Sequence, residues 1–131
     1  MQTTLDESHL ASCSSRTLAA IGDYVRRVST DLADAVVSIT LYGSQARGEA
    51  GAESDIDLFI VVRRDTPALR EALADIAWQV QFERGVVISD IIRNLSQLRL
   101  MQAHRFPYYQ SIQREGILLW KNTSETMPAY A

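Results

Sequence analysis

From Thr17 onward, apolar residues return at steps of three and four. Leu18, Ile21, Val25, Val28 and Leu32 form one stripe, with Asp23, Arg26 and Arg27 opposite it, which is the period of an amphipathic helix. The run Val36 to Tyr42 is rich in β-branched residues and predicts a strand ending at Gly43. Ser44 to Ser54 is polar and glycine-bearing, and predicts a turn, a short helix and a loop. Ile56 to Val62 is apolar at both parities beyond Asp57, as expected of a strand covered on both faces. Thr66-Pro67 then opens a helix, with threonine as cap and proline at the first helical position. Leu69, Leu73, Ile76 and Val80 are its buried stripe, and Gly85 stops it in a left-handed cap. Val86 to Ile92 reads as a third strand. Asn94 and Ser96 open a short helix through Leu100 and Met101, and Phe106 to Arg114 reads as another, ended by Gly116. Ile117 to Trp120 is a last short strand. The order predicts an α+β fold, a mixed sheet of about four strands flanked by helices. Its core spans about residues 17–120, between a polar lead at 1–15 and a tail at 121–131. No repeat or linker divides the chain, so residues 1–131 read as one domain.

Composition narrows the function classes. With 131 residues, 47% hydrophobic and 22% charged, the chain can bury one core and is too apolar for a disordered segment. No apolar run reaches the roughly 18–20 residues that cross a bilayer, and the polar start with Asp6 and Glu7 is unlike a secretory signal. The expected compartment is cytoplasmic, with no membrane partner. The single cysteine, Cys13, makes neither an internal disulfide nor a cysteine-based zinc site. A formal charge of -3 argues against binding a long nucleic acid through bulk charge. Twelve of the thirteen basic residues are arginine, with Lys121 the one lysine. Arginine forks suit phosphates, although codon bias in a GC-rich genome accounts for the same preference. Three of the six glycines, Gly43, Gly48 and Gly51, fall within nine residues, more than folding alone requires.

That glycine cluster sits inside the chemically informative segment. A strand running into Gly43-Ser44 and then a helical turn aims backbone N–H groups at one point, an anion site usually filled by phosphate. Arg47 lies one turn on and can reach a phosphate or pin the loop. Ten residues after Ser44 come Asp55-Ile56-Asp57, two carboxylates that strand alternation puts on one face. Carboxylates held so close repel unless a cation lies between them, and Mg2+ takes one or two protein carboxylates with substrate phosphates completing its shell. A lone Asp-x-Asp is common in loops, and Gly-Ser is commoner still. It is their combination, with a strand on either side and this gap, that specifies phosphoryl or nucleotidyl transfer.

Gly43-Ser44, the ten-residue gap and Asp55-Ile56-Asp57 resemble the signature of the DNA polymerase beta-like nucleotidyltransferases. The short chain, Gly48 after Arg47 and the run Ser54-Asp55-Ile56-Asp57-Leu58 resemble in particular their minimal nucleotidyltransferase domains. The resemblance implies transfer of a nucleoside monophosphate from an NTP, ATP being the expected one, to an acceptor hydroxyl. It implies that Gly43, Ser44 and Arg47 bind the nucleotide and that Asp55 and Asp57 bind two Mg2+ ions. Such domains are often antitoxins encoded beside HEPN-domain toxins, and some adenylylate a tyrosine of the toxin. The expected partner is therefore a HEPN protein from an adjacent gene, with a second copy of the chain as another candidate.

The family usually adds a third carboxylate on the next core strand. Asp90, in Ile88-Ser89-Asp90-Ile91, is the candidate catalytic and metal-binding residue. Both parities of that strand are apolar, however, and a one-residue slip would put Ser89 there instead, with weakened catalysis. Other candidates read as ordinary. His104 is expected at the surface, and Glu83 and Glu115, both near helix ends, are expected to be solvated, although either could approach the site. Tyr108-Tyr109 should place one ring in the core and one at the surface, where it could stack on a base. Trp78 is expected in the core or an interface, and Cys13 is expected to be inert. Two rival readings remain: a binding antitoxin with a weak nucleotide site, and an aminoglycoside-type nucleotidyltransferase, whose usual extra drug-binding domain is not expected to fit within 131 residues.

Overall fold

The computed structural model describes residue 10 and residues 13–49 and 55–123. The lead before Leu10, Gly51 with most of its loop, and the tail beyond Thr123 lie outside the described residues. Helix α1 (Ser15–Asp31) starts where the Ser14 hydroxyl accepts from the Thr17 amide, satisfying one of the amides left open at a helix start. Strand β1 (Val36–Tyr42) leads directly into the one-and-a-bit turns of α2 (Gly43–Arg47). Strand β2 (Ile56–Val62) and α3 (Pro67–Arg84) follow, with the Thr66 cap and the left-handed Gly85 at φ 68° where the sequence put them. Then come β3 (Ile88–Asn94), α4 (Leu95–Ala103), α5 (Pro107–Glu115) and β4 (Ile117–Lys121).

The sheet order is β3-β2-β1-β4. β1 is antiparallel to β2 and β4, and β2 is parallel to β3, with α3 as the crossover that a parallel pair needs. One sheet face packs under α1 and α3 through Ile39, Leu41, Leu58 and Ile60 against Tyr24, Val28, Leu73 and Val80. The other packs under α4 and α5 through Phe59 and Val61 against Leu98, Met101, Tyr109 and Ile112. Because β2 is covered on both sides, its apolar residues do not alternate with polar ones, and every member except Asp57 is buried.

Three sequence expectations change. The third strand starts two residues later than expected, where the backbone N–H of Ile88 is taken by the Gln81 side chain. Leu18 is 39% exposed rather than part of the buried stripe, whose place is taken by Ala20 and Tyr24. Of the two places expected for Trp78, the core is ruled out: the side chain is 62% exposed and stacks on Phe82 one turn away, with ring centroids 5.3 Å apart.

Helices α1 and α3 are also tied by charge. The Asp23 carboxylate, 2% exposed, accepts from Arg26 at 2.6 Å, from Arg27 at 2.9 Å and from Arg84 at 3.3 Å. The hydrogen bond from Arg27 is the main reason its carboxyl titrates below the usual range, although burial opposes it. A carboxyl with a lowered folded pKa stabilises the fold above its unfolded pKa and loses that contribution as pH falls through the folded value. Replacing Asp23 with asparagine should cost about 1.5–3 kcal/mol at pH 7, the scale of hydrogen bonds to charged groups. Denaturant titrations of both proteins should show the difference shrinking as pH falls below about 4; a difference independent of pH would show that charge is not its source.

Candidate active site

The site is the corner where β1 ends, α2 begins and β2 starts. Tyr42 pairs with Asp57 across β1 and β2. Gly43 follows at φ 75°, in the left-handed region. A Cβ there would run into the Asp57 carboxylate. The missing side chain is therefore what lets the first turn of α2 sit directly on Asp57. The opening amides of α2, which have no partner within the helix, belong to Gly43, Ser44 and the residues after them. Sequence reasoning expected the glycine to end the strand; it also begins the helix, so strand, turn and carboxylate form one unit.

Asp57 is partly buried and Asp55 is exposed at the entry to β2. Burial, and then the like charge of Asp55, push the Asp57 carboxyl above its ordinary range, while Arg47 draws it down. Two oxygens of like charge at a backbone turn rich in N–H donors suit a divalent ion shared with phosphate. This donor set fits Mg2+, which keeps several ligands from water and substrate. Among the described residues, no group of three or more His, Cys, Asp or Glu side chains comes together as a metal cage.

The register decides between the two candidates on β3. Asp57 pairs with Ser89, and Leu58 with Asp90. Directly paired residues share a sheet face, so Ser89 lies beside Asp57 and Asp90 lies on the other side. Asp90 is flanked there by Ile88 and Ile92, which pack with the α1 and α3 layer. Its charge is felt by Tyr24 of α1, whose buried hydroxyl has no hydrogen-bond partner among the described residues, and more weakly by Tyr42. Burial raises the Asp90 carboxyl, against its own backbone N–H and the Arg70 charge. The expectation that joined Asp90 to Asp55 and Asp57 therefore meets the one-residue alternative that a strand apolar on both faces left open.

Arg47 pins the loop. Its Nε donates to Glu49 at 3.1 Å and its Nη1 to Glu115 at the end of α5 at 3.2 Å. Glu115 is thus drawn to the site through Arg47. His104 is exposed, and Glu83 pairs with Arg27 at 2.7 Å. Burial raises the Cys13 thiol, which donates to the Gln45 carbonyl, as expected of an inert cysteine. Of the tyrosine pair, Tyr109 is 2% exposed and Tyr108 37%.

Sequence reasoning missed what Tyr108 does. Its hydroxyl donates to that of Tyr42 at 2.8 Å, and the two rings meet edge to face with centroids 5.8 Å apart. The charge of Asp57 is felt at both phenols, and that of Arg93 on β3 opposes it. The pair extends the site from Asp57 towards α4 and α5. The residues are 66 positions apart, and no local pattern connects them.

A mixed sheet with a strand-glycine-helix corner and paired carboxylates on the next strand defines a class of enzymes that transfer phosphorus groups. The comparisons place the chain within that class. The family model for the nucleotidyltransferase domain matches residues 23–115, and the chain belongs to this family. It is 35% identical over 74 residues to Putative protein adenylyltransferase MJ0141 of Methanocaldococcus jannaschii, a match covering 55% of this chain and 74% of that one. It is 28% identical over 101 residues to the similarly named MJ0604 of the same organism, covering 77% and 95%. A toxin-antitoxin crystal structure with AMP-PNP superposes with a TM-score of 0.56 at 14% identity, covering 79% of this chain and 75% of that one. The crystal structure of a "putative nucleotidyltransferase" from Sulfolobus solfataricus does so at 0.54 and 16%, covering 98% and 99%. At such identities these structures bear on the fold alone. The chain is a nucleotidyltransferase. Among the described residues no helix is long and apolar enough to cross a membrane.

Proposed function

We propose that this nucleotidyltransferase moves AMP from ATP onto a side-chain hydroxyl of a partner protein, a tyrosine of a HEPN-type toxin, and so acts as its antitoxin. The observation that carries the reading is the contact of the Gly43 turn with the Asp57 carboxylate, which joins a phosphate-binding turn to a metal-binding side chain. The names of the relatives, protein adenylyltransferases, and of a structural neighbour, a toxin-antitoxin complex with AMP-PNP, support the choice of nucleotide and partner.

In this reading the backbone N–H groups of Gly43 and Ser44 and the Ser44 hydroxyl hold the triphosphate. Asp55 and Asp57 hold Mg2+, which when bound offsets charge on the phosphates and lowers the pKa of the attacking hydroxyl. Arg47 keeps the turn against α5. The α-phosphate is thereby fixed for in-line attack, and positioning supplies most of the rate. Asp90 stands outside this set. Exchange of Asp90 for asparagine should leave transfer within about threefold of the parent, whereas loss of a group acting on the transition state costs ~100-fold or more; initial rates of label transfer distinguish the two.

The test is incubation of the chain with labelled ATP, Mg2+ and the product of the adjacent gene. Label on a tyrosine of that product is the expected result, and absence of label where the nucleotide binds would overturn the proposal. The Ser89 register favours one second reading, a binding antitoxin with weak catalysis. Full neutralisation of the toxin by a variant carrying both Asp55→Ala and Asp57→Ala would establish it.

A further inference from the structure

Two requirements of nucleotidyl transfer, a place for the base and a place for the acceptor, are not met by the described residues of the corner, Gly43, Ser44, Asp55 and Asp57. Between the end of β3, α4 and the start of α5 lies an open cavity of about 250 Å3, lined by Arg93, Gln97, Leu100, Met101, Phe106 and Tyr108. Ligand sites for whole small molecules run from about 300 Å3 upward, so this one suits a single flat ring system rather than an entire nucleotide.

One side chain links the cavity to the catalytic corner. Tyr108 lines it and also donates to Tyr42, the residue paired with Asp57 and joined to Gly43. The lining matches a base in two further ways. Its apolar members include Phe106, 46% exposed, and Leu100, 55% exposed, surfaces that would leave water when a ring covers them. Its polar members offer donors. Arg93 uses Nη1 on the Ile92 carbonyl, and the rest of its fork remains for a ring nitrogen or a ring face. Gln97 uses its carbonyl oxygen on the Asn94 amide, in the cap of α4, which leaves its NH2 group as the other donor.

We propose that this cleft between α4 and α5 is the base-binding subsite, with the nucleobase of the triphosphate packed against Phe106, Leu100 and Tyr108 beneath the Arg93 guanidinium. The proposal rests on the nucleotidyl-transfer reading above and adds the element that reading lacks. It also explains why two half-exposed apolar side chains face the same opening as an arginine.

The experiment compares two probes on the same protein by calorimetry in Mg2+: a non-hydrolysable ATP analogue and inorganic tripolyphosphate, which has no base. The variants are Phe106→Ala and Leu100→Ala, tested separately, each checked by thermal melting. Both side chains are about half exposed, so truncation leaves the core intact. The expected result is a loss of about tenfold in analogue affinity, the scale of one lost base-stacking contact, with tripolyphosphate unchanged. Equal weakening of both probes, or no change in either, overturns the proposal. So does unchanged analogue binding with slower transfer to a partner protein, which would make the cleft the acceptor's. In those three cases nucleotidyl transfer itself stands. A parent chain that binds neither probe overturns both.

Discussion

Replacing Asp57 with asparagine is expected to lower nucleotidyl transfer by about 10³-fold while the protein stays folded, since removal of one preorganised charged group from a reaction centre has effects on this scale. Asparagine keeps the shape of the side chain and removes its charge. The fold should tolerate this, because burial and Asp55 already disfavour that charge, so the melting temperature should hold or rise slightly. Single-turnover transfer from labelled ATP measures the first effect and thermal melting the second. Loss of activity accompanied by unfolding would mean that Asp57 is a structural residue. Transfer at the parental rate would remove the carboxylate from the mechanism.

Exchange of Gly43 for alanine is expected to damage both stability and activity. The residue sits at φ 75°, and a left-handed conformation costs an L-residue with a Cβ about 1–2 kcal/mol. The added methyl also meets the Asp57 carboxylate, so either the turn must lift from β2 or the carboxylate must swing away. For a chain of this size the strain alone should lower the melting temperature by roughly 5 °C. Transfer should fall as far as in the Asp57 variant, because the same carboxylate is displaced. Alanine tolerated with full activity would show that the turn and the carboxylate are not in contact during turnover. Together the two substitutions ask whether the corner works as one unit.

Both predictions depend on a motif visible in the chain before any coordinates. Gly43, Ser44, Asp55 and Asp57 lie within fifteen residues, and their chemistry is local: a strand entering a glycine turn, and two carboxylates one strand period apart. The elements were legible for the same reason. The stripe of α3, its Thr66 cap and Gly85 stop, and the doubly covered β2 all rest on periodicity and backbone preference, which act over a few residues. The expected third strand began two residues too early, where the Gln81 side chain of α3 takes the Ile88 N–H, a contact no local pattern shows.

By itself, then, the sequence determined the kinds of elements, their order, and the turn and carboxylates of the catalytic corner. Only the tertiary structure decided which parity of β3 faces Asp57. Ser89 and Asp90 differ by one position, and both sets of alternating neighbours are apolar, so the choice fell to pairing with β2. It likewise decided that Arg47 ties to Glu115, 68 positions away, and that Tyr108 meets Tyr42. Such contacts form when helices from distant parts of the chain pack on the same sheet face. Periodicity can show that a residue has a buried or an exposed face, but the neighbour across that face is set by the packing of the whole fold.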